Sequence, residues 1–299
     1  TIGEGTVSPE SDARVLGDLD FITTITNNWN ATIEKYLGTS FVGEIEYTCT
    51  EYGAIPGDRV YLEFMYQMQM FLEMAKNKWT VANPWHDDAF IRSGYVTPGF
   101  YVLPLLRSKF GTQMVMASSD NPVVRSYAAK DNAGNLTMIV VNNSPADSTN
   151  ATISISGYTP GSTGEMWLAK PVHTGLDTTT KAATVLQEMD DLAINDYIHP
   201  DPRIIDNQVW SNFIATGSSF SVTLPASNIA FIRILPNGRT PVPHPAATAD
   251  PTPTPAPLSA AGPFKVQYVC REPNISTTSG RFYVNIFNTT SEDISLSYR

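Results

Sequence analysis

Along the first hundred residues the apolar positions recur with two different periods. Between residues 21 and 37, Ile22, Ile25, Trp29, Ile33 and Leu37 return every three or four positions, which predicts a helix, and Gly38 stands where a helix stop belongs. A second helix is predicted over 60–78, where Tyr61, Phe64, Met65, Met68, Phe71, Leu72 and Ala75 form one stripe. Its methionines, Met65, Met68, Met70 and Met74, read as core packing rather than as a binding surface. A third helix is predicted over 95–110, with Pro98 in its first turn, Phe100, Leu103 and Leu106 on one face, and Gly111 at its end. Between these helices lie two short β-rich runs, 44–53 and 79–88. Helix and strand in alternation argue for βα units around a parallel sheet.

From Gly111 onward the pattern changes to short β-rich runs at 114–117, 123–129, 136–142, 151–155, 164–169, 220–225 and 229–235, divided by turn signals such as Asp120-Asn121-Pro122 and Asn132-Ala133-Gly134-Asn135. Partial alternation in 136–142 predicts half-buried antiparallel strands. Residues 170–210 read as irregular. The stretch 237–263 has no apolar periodicity and is dense in proline, as in Pro251-Thr252-Pro253-Thr254-Pro255, so it is a semi-rigid spacer. Beyond it, 264–269 and 281–288 are two alternating strands, with 294–296 as the start of a third. So few strands bury too little surface to stand alone. The expected organisation is 1–110 as the last strands of a (β/α)8 barrel, 111–236 as an antiparallel β-sandwich, 237–263 as linker, and 264–299 as a truncated β-sandwich module. A closed barrel of this kind takes about 250 residues, so only its carboxyl-terminal part is expected here.

Composition narrows the partners. The chain carries 29 acidic and 19 basic residues, a formal charge of -10, and no basic cluster longer than a pair, which disfavours nucleic acid. No apolar run approaches the ~20 residues of a membrane span. The first twenty residues lack the basic start and apolar core of a signal peptide, so either a leader has been removed or the chain is internal to a longer one. Charged residues make up only 16%, and Thr, Ser, Asn and Pro abound, which suggests an extracellular β-rich protein. Cys49 and Cys270 fall in different expected domains, so a disulfide between them is not expected, and Cys49 reads as a buried thiol.

The chemistry is expected where the two parallel strands end. Glu51 closes a β-rich run just before Gly53, Ile55, Pro56 and Gly57, which places it at a carboxyl rim where loops vary and strands hold position. Trp85 and His86 follow at the end of the next strand. A carboxylate beside an indole is raw material for glycosidic cleavage, which needs two carboxylates flanking the bond. If odd positions face the barrel axis, Glu44, Glu46, Thr48 and Thr50 would face the helices, unless the strand is bulged or begins near Tyr47; Glu46 therefore stays open as the second-choice carboxylate in place of Glu51. Trp85, Tyr52 and His86 are the expected substrate-binding side chains. His86, Asp87 and Asp88 lack the spacing of a metal site, and neither a metal nor a cofactor is expected. There is no phosphate-binding glycine loop, no nucleophile elbow and no His-Glu-x-x-His.

Thr50-Glu51-Tyr52-Gly53, followed one helix later by a strand ending in Trp85, resembles the seventh and eighth strands of clan A retaining glycoside hydrolases. Phe110-Gly111 leading into 114–117, Arg125-Ser126-Tyr127-Ala128-Ala129, and the closing pair over 220–235 extend the resemblance to the arabinofuranosidase and endoglucanase families numbered 51 and 44. It implies that Glu51 is the nucleophile and Trp85 a wall of the subsite. Lys265-Val266-Gln267-Tyr268 and Asn285-Ile286-Phe287-Asn288 resemble the opening of a family 3 cellulose-binding module. These families carry the acid/base glutamate in an Asn-Glu pair on the fourth strand, and this sequence contains no Asn-Glu. The expectation is thus the carboxyl-terminal portion of a secreted retaining hydrolase of plant cell-wall polysaccharide, of endoglucanase, xyloglucanase or arabinofuranosidase type, inactive alone. The alternative is a non-catalytic wall-binding protein with a degenerate barrel remnant.

Overall fold

The computed structural model describes residues 16–52, 60–84, 90–92, 95–172, 192–195, 197–198, 200, 205, 209, 211–241, 264–270 and 282–288. The chain divides into two compact units, Thr1–Pro243 and His244–Arg299.

The first unit opens with helix α1 (Phe21–Leu37), whose bounds are those its apolar period predicts. Gly38 stops it at φ 101°, and its amide donates back to Ile33 O (3.2 Å) and Glu34 O (3.1 Å). Only glycine takes that backbone angle without strain. Strand β1 (Tyr47–Tyr52), helix α2 (Val60–Lys76) and strand β2 (Trp79–Pro84) then form one βαβ unit, with β1 and β2 parallel. The third helix is shorter than its pattern implies. Residues 95–96 form strand β4 (Tyr95–Val96), paired antiparallel with β3 (Ile91–Arg92). A 3-10 turn, Pro98–Tyr101, leads into helix α3 (Val102–Lys109). The reason is local: Thr97 is extended at φ -88° and ψ 164°, as a residue before proline is driven to be, so the helix cannot begin upstream of Pro98.

Among the described residues ten strands of the first unit then build two layers: β5 (Gln113–Val115), β6 (Val124–Lys130), β7 (Leu136–Asn142), β9 (Pro160–Lys170), β10 (Ala193–Ile194), β11 (Tyr197–Ile198), β12 (Asn212–Ala215) and β14 (Asn228–Pro236) make the large sheet, in the order β11-β10-β9-β14-β7-β6-β5 with β12 also on β9; β8 (Thr149–Ser154) and β13 (Ser219–Leu224) make the small one. All the pairings described in these layers are antiparallel. Strands β10 to β12 fall in or beside the region read as irregular, because four residues or fewer give no usable period.

Strand β7 is buried along its whole length, not half-buried as its alternation suggests. Ile139 and Val141 face the α/β portion, while Leu136, Met138 and Val140 face β8 and β13. The α/β portion and the large sheet thus share one core, and α2 lies at its centre. Residues 61–70 of α2 are all buried, and so are its four methionines, Met65, Met68, Met70 and Met74. Two of its polar side chains are satisfied from outside the helix: Gln69 and Asn143 exchange amide hydrogen bonds of 3.1 and 3.0 Å, and Tyr61 donates to Ala169 O at 3.1 Å. Burial of a polar group without such partners would cost about 1–3 kcal/mol.

In the second unit, β15 (Phe264–Cys270) and β16 (Phe282–Asn288) pair antiparallel, with Phe264 opposite Asn288. The segment 294–296, expected to begin a third strand, lies outside the described residues.

Candidate active site at the carboxyl rim of the parallel pair

Strands β1 and β2 run side by side with Tyr47 opposite Trp79 and Tyr52 opposite Pro84, so their carboxyl ends meet at one rim. Glu51 is the last residue but one of β1. Pro84 ends β2 and is followed in sequence by Trp85 and His86. Those two residues, Asp87, Asp88 and the loop 53–59 lie outside the described residues, and Glu51 is described by its strand position. The parallel pair therefore delivers the backbone of Glu51 and the start of the Trp85-His86 segment to the same edge.

The expected facing of β1 is corrected. Cys49, taken to face a barrel axis, is buried against the α2 side, while Thr48 and Thr50 are exposed. The register also shifts between Cys49 and Tyr52, so these two residues, three apart, both enter the core. Strict alternation would forbid that; a bulge permits it, and bulges gather where a strand must re-aim its side chains. Glu46, the second-choice carboxylate, is exposed and immediately precedes β1 at its amino end. Five strand steps, roughly 17 Å, separate it from the rim. Of the two carboxylates, only Glu51 belongs to the end where βα units carry chemistry.

Tyr52 is also corrected. Expected among the substrate-binding side chains, it is 1% exposed and packs edge-on to Phe71, with centroids 6.0 Å apart at 88°. Solvent does not reach it, so it has no face to offer a sugar; it pins the strand end to α2. Its hydroxyl has no hydrogen-bond partner. Burial, reinforced by Glu63, Tyr66 and Cys49, holds its ionisation far above the ordinary tyrosine value. Glu63 itself is 3% exposed and accepts from Gln67 Nε2 at 2.5 Å. This buried acid beneath the rim was missed in the sequence. The available signal was a Glu-x-x-x-Gln pair on the first turns of a helix that is apolar elsewhere.

At the amino end of the pair Trp29 stacks on Trp79 (5.4 Å, 24°) and meets Tyr47 at 5.3 Å. Trp79 Nε1 donates to Thr26 Oγ1 at 2.8 Å, and the Tyr47 hydroxyl donates to Asn30 Oδ1 at 2.6 Å. These aromatics bind α1 to the strands at the end away from the rim. Among the described residues no group of three or more His, Cys, Asp or Glu side chains is placed to hold a metal, and no helix is long and apolar enough to cross a membrane.

The fold defined by these elements, a parallel βα edge fused through α2 to a two-layered antiparallel sheet, occurs in known glycoside hydrolases. No protein-family model matches the chain, and no curated protein matches it. Among solved structures it is similar to CelM2, a bifunctional glucanase-xylanase from a metagenome library, at 20% identity and TM-score 0.53 over 79% of this chain and 42% of that one. A Paenibacillus polymyxa xyloglucanase of glycoside hydrolase family 44 is similar at 15% identity and TM-score 0.54 over 78% of this chain and 43% of that one. A family 51 α-L-arabinofuranosidase from Thermotoga petrophila RKU-1 is similar at 12% identity and TM-score 0.52 over 73% and 48%. At these identities the likeness is one of fold. The chain covers less than half the length of each of the three.

Proposed function

We propose that this chain is the carboxyl-terminal part of a secreted retaining glycoside hydrolase acting on plant cell-wall polysaccharide, of endoglucanase, xyloglucanase or arabinofuranosidase type. The observation that carries the reading is the position of Glu51 at the carboxyl end of a parallel strand, beside the strand that leads into Trp85 and His86, in a fold whose neighbours cleave glycosidic bonds.

In this reading Glu51 is the nucleophile. Its carboxylate attacks the anomeric carbon and forms a glycosyl ester while a second carboxyl, about 5–5.5 Å away, protonates the departing oxygen. Water, deprotonated by that second group, then releases the sugar with its configuration retained. Trp85 stacks on the sugar held at the attacked position and His86 hydrogen-bonds its hydroxyls. The acid/base partner is expected in an Asn-Glu pair in polypeptide outside residues 1–299, so residues 1–299 alone are expected to be inactive. The proline-rich stretch 237–263 is a spacer, and 264–299 opens a cellulose-binding module that holds the enzyme on its substrate.

The test is Glu51→Gln in a polypeptide extended upstream. The variant keeps the shape of the side chain and removes its nucleophilicity, so turnover of glucan, xyloglucan or arabinan is expected to fall by at least about 10⁴-fold with binding to cellulose unchanged. Turnover within tenfold of the parent would move the nucleophile away from Glu51.

A further inference from the structure

We propose that Asn237 is a site of spontaneous covalent modification: its side chain cyclises onto the Gly238 amide and ages to isoaspartate where β14 passes into the proline-rich stretch. This inference does not depend on the glycosidase reading.

Asn237-Gly238 is the one Asn-Gly in the sequence. Ring closure brings the amide nitrogen of the following residue onto the asparagine side chain, and a Cβ on that residue crowds the approach; glycine has none. Both residues are exposed, directly after β14 ends at Pro236. Apart from its chain neighbours, nothing lies within 4 Å of where a Cβ on Gly238 would stand, so that face of the pair is uncovered.

The backbone leaves the reacting groups unengaged. The Arg239 amide donates to Pro236 O at 3.1 Å and closes a four-residue turn, in which Gly238 takes φ 84° at the third position. A positive φ there alone is the type II pattern, and its closing bond does not use the third residue's amide. No hydrogen bond from another described residue holds either that amide or the Asn237 carboxamide.

Other asparagines lack this combination. Asn143 precedes the small Ser144, but it is 6% exposed and exchanges amide hydrogen bonds with Gln69. The carboxamide oxygen of Asn132 accepts from Thr112 Oγ1 at 3.4 Å, and a Cβ follows at Ala133. Asn121 precedes Pro122, which has no amide proton to lose.

The chemistry needs only water and hydroxide. Hydroxide takes the Gly238 amide proton; the nitrogen bonds to Asn237 Cγ, the Cγ–Nδ2 bond breaks, and ammonia leaves with a proton from water. Water then opens the cyclic imide. Attack at Cγ yields aspartate, whereas attack at the backbone carbonyl carbon yields isoaspartate, with the main chain running through the side chain. That product inserts a methylene between Pro236 and Gly238 and leaves a carboxylate, so the turn closed by Arg239 loses its spacing. The Asn237 amide, which donates to Thr159 O at 3.0 Å, lies before the insertion and keeps its bond.

The 299-residue chain is to be aged in mildly alkaline buffer, folded and in urea, and mapped by mass spectrometry after trypsin digestion. In the tryptic peptide 234–239 Asn237 is the only asparagine. In the folded chain this peptide is expected to deamidate at least about tenfold faster than the one holding Asn143, and within about tenfold of its own rate in urea. The rate should rise in proportion to hydroxide, a protein isoaspartyl methyltransferase should label the product, and Asn237→Gln, which would need a larger ring, should abolish it. In the purified isoaspartyl form the Arg239 amide is expected to exchange at least about tenfold faster, with the Asn237-position amide still protected. An Asn237 that reacts in urea but stays intact in the folded chain overturns the proposal, as does another asparagine reacting first. Unchanged exchange at Arg239 overturns the consequence drawn for the turn.

Discussion

Glu73 is a carboxylate that α2 carries into the core at 2% exposure, and its charge is tolerable because of what surrounds it. The Tyr127 hydroxyl donates to it at 3.0 Å and Arg125 Nη1 at 3.3 Å, while Lys76 lies 3.4 Å away at the boundary. Arg125 also holds Asp20 at 2.7 Å and Gly17 O at 2.9 Å, so one guanidinium ties α2 and the segment before α1 to β6. Arg125→Ala would leave Glu73 with only the half-exposed Lys76 as a cation, and the expected loss is about 3–5 kcal/mol in urea unfolding of residues 1–299. A loss below about 1 kcal/mol would show that the clamp is not coupled to folding. The buried phenols give a pH dependence of definite sign. Burial raises Tyr52, Tyr61, Tyr66 and Tyr127 above the ordinary value. Both states are protonated below about pH 10, where the full stability is present; above it the unfolded chain sheds protons that the folded chain keeps, so stability falls as pH rises. Phenolate absorbance followed beside circular dichroism should show these groups ionising together with unfolding. Ionisation of all four well ahead of unfolding would contradict their burial.

Between helix α3 and the large sheet the chain passes so close to the β6–β7 hairpin that only glycine fits. A Cβ on Gly111 would sit 2.4 Å from the Lys130 carbonyl carbon and oxygen, and the Gly111 amide donates to Thr137 Oγ1 at 2.7 Å. Gly111→Ala is therefore expected to cost at least about 1–3 kcal/mol, more than Gly238→Ala, whose Cβ would meet open space and whose penalty comes from its φ of 84° alone. The reverse order in thermal unfolding would refute the close approach. Sequence reading found α1 and its Gly38 stop, the parallel pair, and the cores of the long sheet strands, because each of these is a local pattern. It did not find that α2 is enclosed on all sides. Glu63, Gln67, Gln69 and Glu73 look solvent-facing in a helical period, and two of their partners, Asn143 and Tyr127, lie 74 and 54 residues away. For the same reason the site was half legible. A β-run ending in Glu51 before a glycine is local, whereas the shift that buries both Cys49 and Tyr52 exists only in the pairing with β2.

At the scale of the whole molecule, a set of exposed apolar side chains contrasts with the buried interface around α2. Trp29, Tyr36, Leu37, Phe41, Ile45 and Val81 are large apolar residues left exposed, all on α1, the turns after it, or β2. Among the described residues the parallel sheet beside them has two strands, whereas parallel sheets are normally covered on both faces. Both features fit an α/β layer that continues beyond the polypeptide described, which is what the proposed hydrolase requires for its second carboxyl group. The role of Glu51 is open to direct covalent measurement in the upstream-extended protein. A fluorosugar glycoside with a good leaving group forms the glycosyl ester quickly and releases it slowly, so the nucleophile stays labelled for peptide mapping by mass spectrometry. The expected result is one added sugar on the peptide that contains Glu51, lost in Glu51→Gln. A sugar attached to a different carboxylate while Glu51 stays unmodified would contradict the account.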